Sequence, residues 1–85
     1  MKYAKRLAFR VIEGQAFIVD PKDKVMHSLN PTATRIWQSL GQGKEPRDIA
    51  RSIAEEFEVD AGRALEDVRS FLEELRSKQL LEAGT

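Results

Sequence analysis

The chain has 85 residues, in which 14 lysines and arginines balance 14 aspartates and glutamates, and it contains no cysteine. A chain of this length supports one hydrophobic core, so residues 1–85 are predicted to form a single domain. The absence of cysteine excludes disulfides, thiolate metal sites and thiol nucleophiles, and it fits a cytoplasmic protein, which we expect. The balanced charge gives no strong attraction to nucleic acid or membranes.

The first third of the sequence alternates apolar residues with a period of two and predicts three strands. The first is a half-buried strand over residues 7–12. Glu13-Gly14 then supplies a tight turn into a second strand over residues 15–19. Residues 20–23 have turn chemistry, and a third strand follows over residues 24–29.

From Asn30 the apolar period changes to 3.6 and predicts three helices. Asn30 caps the first, and Gly41-Gln42-Gly43 ends it. The second begins near Pro46. Asp60 caps the third, which has the longest apolar periodicity in the chain and ends near Lys78.

Three antiparallel strands followed by three helices predict an α+β fold that is winged helix-turn-helix-like. Leu80 and Leu81 are apolar residues beyond the last helix, and we expect them to pack back on the core. Residues 82–85 are predicted to fray.

The residues that enzymes require are missing from this sequence, so we predict no catalytic activity, no cofactor and no metal. His27 is the only histidine, which rules out a multi-histidine site within one chain. Gly41 and Gly43 lack the rest of a dinucleotide or phosphate-binding motif and are interpreted as a helix stop. Trp37 lies in the apolar stripe of its helix and is predicted to be in the core.

Several segments carry a resemblance to a known family. They are the opening hairpin of residues 10–20, His27-Ser28-Leu29-Asn30-Pro31-Thr32-Ala33, Ile36-Trp37, Ile49-Ala50, and Ala64, Asp67-Val68, Phe71-Leu72, Leu75 and Leu80-Leu81. In this order they resemble the PqqD-like family, peptide-recognition proteins named for pyrroloquinoline quinone synthesis protein D. Two positions depart from the family pattern: Gln79 replaces a glycine, and Glu45 stands where a threonine helix cap is common.

The resemblance implies a recognition element for ribosomally made, post-translationally modified peptides. Such an element binds the leader of a precursor peptide and delivers it to a modifying enzyme. In the namesake pathway that enzyme is a radical S-adenosylmethionine protein, which holds the iron–sulfur chemistry. This chain, without cysteine, would carry none of it.

The resemblance also places the docking edge on the third strand. An exposed edge strand offers free N–H and C=O groups, to which a peptide can add as a further strand. The predicted strand contacts are Val25, Met26, His27, Ser28 and Leu29. A proline at Val25 is expected to remove one of the donors available to the peptide.

The last helix is predicted to form the opposite wall of a groove, and two borders of its buried arc are candidates. One border alternates leucine with arginine, a pattern suited to an acidic, hydrophobic leader: Leu65, Arg69, Leu72 and Arg76. The other border carries Asp67, Ser70 and Glu74, of which Asp67 matches the family pattern. Which border faces the peptide stays open at this point.

The alternatives to peptide presentation are DNA binding and a role as a purely structural adaptor or a homodimer. A winged helix-turn-helix could bind DNA through the second of two closely linked helices, although the acidic residues on both helices oppose it. The exposed edge could also pair with a second copy, so the chain is expected to be a monomer or a homodimer.

Overall fold

A computed structural model describes residues 2–82 and has the predicted order of three strands and three helices. The elements are β1 (Ala8–Ile12), β2 (Gln15–Asp20), β3 (Val25–Ser28), α1 (Pro31–Gly41), α2 (Pro46–Phe57) and α3 (Ala61–Ser77). The strands form one antiparallel sheet in the order β1-β2-β3. The α+β fold class is therefore confirmed.

A two-residue turn joins β1 to β2, with Ile12 opposite Gln15. Glu13 and Gly14 both have positive φ, 50° and 80°, which matches the twist of an antiparallel hairpin. The prediction that β1 is half-buried is wrong, since all five of its residues are exposed. The reason is that the fully buried residues of the sheet come from the central strand, β2, rather than from β1.

Side-chain caps begin two of the three helices, as the sequence predicts. The Asn30 side chain accepts a hydrogen bond from the Ala33 N–H at 2.8 Å, and the Asp60 carboxylate accepts one from the Arg63 N–H at 3.1 Å. Glu45, at the start of α2, makes no such bond. The first turn of α2 therefore lacks the capping bond that a threonine could supply.

The core lies between the helices and the inner face of β2. Trp37 is fully buried and stacks on Tyr3 with ring centroids 4.0 Å apart, which confirms that Trp37 is a core residue. Leu80 and Leu81 are also buried and confirm the prediction that they pack back on the core.

Backbone hydrogen bonds tie the two ends of the described chain together. The Ala4 N–H donates to the Leu80 carbonyl at 3.0 Å, and the Glu82 N–H donates to the Lys2 carbonyl at 2.8 Å. The predicted fraying of residues 82–85 falls mostly on residues 83–85, which lie outside the described residues. Within residues 2–82, no helix has the length and apolar character needed to cross a membrane.

Candidate functional site

β3 is an edge strand, because it pairs with β2 on one side and lies at the end of the sheet. His27 lies opposite the fully buried Ile18, so His27 and Val25 face the helical layer, while Met26 and Ser28 face the outer side of the sheet. Met26 is 63% exposed and Val25 is 43% exposed. Side chains on both faces of this edge are therefore accessible.

The backbone of β3 alternates between groups bonded to β2 and groups directed outward. The Leu29 N–H donates to the Ala16 carbonyl at 2.9 Å. In an antiparallel pair every second residue directs its N–H and C=O groups toward the neighbouring strand, so this bond shows which residues of β3 do so. Val25 is bonded to β2, while the N–H and C=O groups of Met26 and Ser28 point away from it. A proline at Val25 would therefore break the sheet itself, and the outward donor belongs to Met26.

A shallow groove of about 140 Å³ separates the end of β3 from α3; we call it the β3–α3 groove. Its lining combines the end of the strand with the facing helix and the segment after it: His27, Ser28, Leu29, Phe71, Glu74, Leu75, Lys78 and Leu80. The Glu74 carboxylate lies 2.9 Å from the Lys78 ammonium, and both side chains are about half exposed. The groove thus has an apolar floor and an ion pair on its rim.

A larger depression of about 920 Å³ lies on the opposite flank of α3, against the start of α2; we call it the α2–α3 groove. Its lining is rich in charged side chains: Glu45, Pro46, Arg47, Asp48, Arg51, Leu65, Arg69, Ser70, Leu72, Glu73 and Arg76. The leucine and arginine border of α3 lies here. The two flanks of α3 therefore belong to two different grooves.

The family model described as coenzyme PQQ synthesis protein D (PqqD) matches residues 15–81. This chain belongs to the PqqD family. The match spans β2, β3 and all three helices, including both grooves.

Two solved structures share the fold of this PqqD-family chain. One is TbiB1 in complex with the TbiA(beta) leader peptide, with a TM-score of 0.90 and 29% sequence identity over 100% of this chain and 99% of that chain. The other is lasso peptide synthetase B1 complexed with the leader peptide, with a TM-score of 0.88 and 22% identity over 95% of each chain. The search of curated protein sequences gave no significant match.

The predicted site residues of this PqqD-family chain divide between its two grooves. His27, Ser28 and Leu29 line the β3–α3 groove, while Val25 and Met26 continue the same edge. All four members of the leucine and arginine border line the α2–α3 groove instead, and Leu72 is only 4% exposed. The strand and that border of α3 therefore do not face a common space.

Of the second predicted border, Glu74 faces β3, and the spacing of residues 67, 71, 74 and 78 places all four on this flank of α3. Ser70, predicted on the same border, lines the α2–α3 groove instead. Asp67 lies one turn before the groove, and its carboxylate is 3.8 Å from the guanidinium of Arg63. Phe71 and Lys78 were missed by sequence reasoning as groove residues. Their spacing from Glu74 was the available signal.

A metal site is not supported by the described part of the chain. Within residues 2–82, no group of three or more histidine, aspartate or glutamate side chains is arranged to hold a metal ion.

Proposed function

We propose that this chain binds the leader segment of a ribosomally made precursor peptide as an added strand on β3 and presents it to a modifying enzyme. The observation that carries the proposal is an accessible edge strand whose outward backbone groups lie beside an apolar groove. TbiB1, which has the same fold at 29% identity, was solved with a leader peptide. Membership of the PqqD family supports the same role.

The bound leader would use two kinds of contact. Its backbone pairs with the outward N–H and C=O groups of Met26 and Ser28, which give affinity without sequence preference. Alternate side chains of an added strand turn toward the helical layer and enter the β3–α3 groove, where Phe71 offers an apolar surface. Charged leader residues at the rim would meet Glu74 and Lys78.

The chain itself performs no chemistry in this proposal, and the modification belongs to the partner enzyme. A radical S-adenosylmethionine protein has that role in the namesake pathway. We place the encounter in the cytoplasm, where precursors are synthesised. The DNA-binding alternative is the weaker one, because the chain has no net positive charge to attract the phosphate backbone.

A pair of proline substitutions tests strand addition at adjacent positions. Met26→Pro removes an outward donor from an edge strand, where proline is tolerated, so leader affinity should fall by about tenfold while the fold is kept. Val25→Pro removes a donor bonded to β2 and should mainly destabilise the domain. Fluorescence anisotropy with a labelled leader gives the affinity, and urea unfolding gives the stability.

The leader for this experiment is the amino-terminal segment of the precursor peptide encoded nearest to this chain. A folded Met26→Pro variant that binds the leader as tightly as the unmodified chain would contradict strand addition on β3.

A further inference from the structure

The proposed leader mode leaves the α2–α3 groove unused. This groove has more than six times the volume of the β3–α3 groove, about 920 Å³ against about 140 Å³. Its floor includes Leu65 and Leu72, and its walls carry Arg47 and Arg51, one turn apart on α2, and Arg69 on α3. An apolar floor bordered by guanidinium groups is suited to a peptide segment that carries both aliphatic and acidic side chains.

The charges of the groove favour an acidic partner. Arg47, Arg51 and Arg69 make no hydrogen bond or ion pair with any residue between positions 2 and 82. Two of the acids in the lining, Glu45 and Asp48, lie at the N-terminus of α2, where the positive end of the helix dipole already compensates negative charge.

Against the remaining acid, Glu73, the groove presents three arginines, Arg47, Arg51 and Arg69. Its electrostatic complement is therefore a carboxylate-bearing surface.

We infer that the α2–α3 groove binds an acidic, aliphatic segment of the modifying enzyme. This inference rests on the proposed function, which requires the chain to hold the leader and the enzyme at the same time. α3 stands between the two grooves, and the width of a helix with its side chains, about 10 Å, separates their occupants. The leader can therefore remain on β3 while the enzyme occupies the other flank.

The test is the double variant Arg51→Glu/Arg69→Glu, in which both substituted side chains are exposed and lie on opposite walls of the groove. Its matched control is Lys5→Glu/Arg10→Glu, which changes the charge by the same amount at exposed positions outside the groove. Fluorescence anisotropy measures leader affinity. Biolayer interferometry measures affinity for the leader-modifying enzyme encoded beside this chain, at low and high salt.

The groove variant should bind the enzyme about tenfold more weakly or worse at low salt, with a smaller salt dependence, and its leader affinity should stay within about twofold. The control variant should keep both affinities. Enzyme affinity that is equal in the groove variant, the control and the unmodified chain would overturn the inference.

Two further outcomes would also overturn it. One is a loss of leader affinity with unchanged enzyme affinity, which would assign the groove to the precursor peptide. The other is salt-sensitive binding of random duplex DNA by the unmodified chain that the groove variant alone loses while enzyme binding persists. Failure of the unmodified chain to bind its leader would contradict the proposed function instead, and the enzyme measurement would still decide the role of the groove.

Discussion

At the residue scale, Asp20 joins three separate segments of the chain through one inaccessible carboxylate. Its two oxygens accept hydrogen bonds from the Arg6 guanidinium, both at 2.8 Å, and one also accepts from the Lys22 N–H at 3.0 Å. Arg6 in turn donates to the Gln79 carbonyl at 2.8 Å. The sequence predicts only the local turn contact of Asp20, because Arg6 and Gln79 come from distant parts of the chain.

The Asp20 carboxylate predicts a pH dependence of stability. The hydrogen bonds from Arg6 lower the pKa of Asp20 below its ordinary value. The ionised carboxylate therefore stabilises the folded state fully above the unfolded pKa of about 4, and this contribution is lost as pH falls through the lower pKa of the folded state. Urea unfolding between pH 7 and pH 2.5 should show this loss in the unmodified chain. Asp20→Asn should be less stable at pH 7 and lose less stability on acidification; an identical slope in both proteins would contradict the assignment.

Gly41 predicts a steric effect on stability. A side chain there would overlap the ring and hydroxyl of Tyr3, which donates a hydrogen bond to the Trp37 carbonyl. Gly41→Ala should therefore lower the free energy of unfolding by about 1–3 kcal/mol, as overpacked cores do. In a Tyr3→Ala background the clash disappears, and the same substitution should be neutral or stabilising by up to about 1 kcal/mol, since alanine favours helix. Equal costs in both backgrounds, measured by urea unfolding, would contradict this reading.

At the scale of the elements, helix boundaries followed from local chemistry and could be predicted. Asn30 and Asp60 cap their helices through bonds that span three residues, so the sequence contains all the information needed. The residues that line the grooves could not be predicted in this way, because they come from segments that are distant in sequence. Which flank of α3 faces β3 depends on how α3 packs in the folded chain. Whether the backbone groups of Met26 point outward depends on the register of β3 with β2.

The start of α2 offers a direct test of the capping argument. Glu45→Thr supplies a hydroxyl that can accept a bond from the uncapped first turn, so the free energy of unfolding should rise by about 0.5–1 kcal/mol. Glu45→Ala is the control, since it removes the same charge without adding a cap. Urea unfolding that gives the two variants equal stability would show that the first turn of α2 gains nothing from a capping side chain.

At the scale of the whole molecule, α3 separates two grooves of different chemistry. One flank meets an edge strand, which suits a peptide that pairs by its backbone. The other flank meets the arginines of α2, which suit an acidic protein surface. A small domain with two such faces could hold a substrate peptide and an enzyme at once, as the proposed function requires.

In the proposed complex the leader adds to β3 beside the Phe71 flank of α3. The most direct measurement is an amide chemical-shift titration of the isotope-labelled domain with the leader of its neighbouring precursor. Strand addition predicts shifts concentrated on residues 25–29 and on residues 71–78, with the largest changes at the N–H groups of Met26 and Ser28. Shifts confined to the α2–α3 groove around Arg47 and Arg51, or no shifts at a saturating leader concentration, would contradict it.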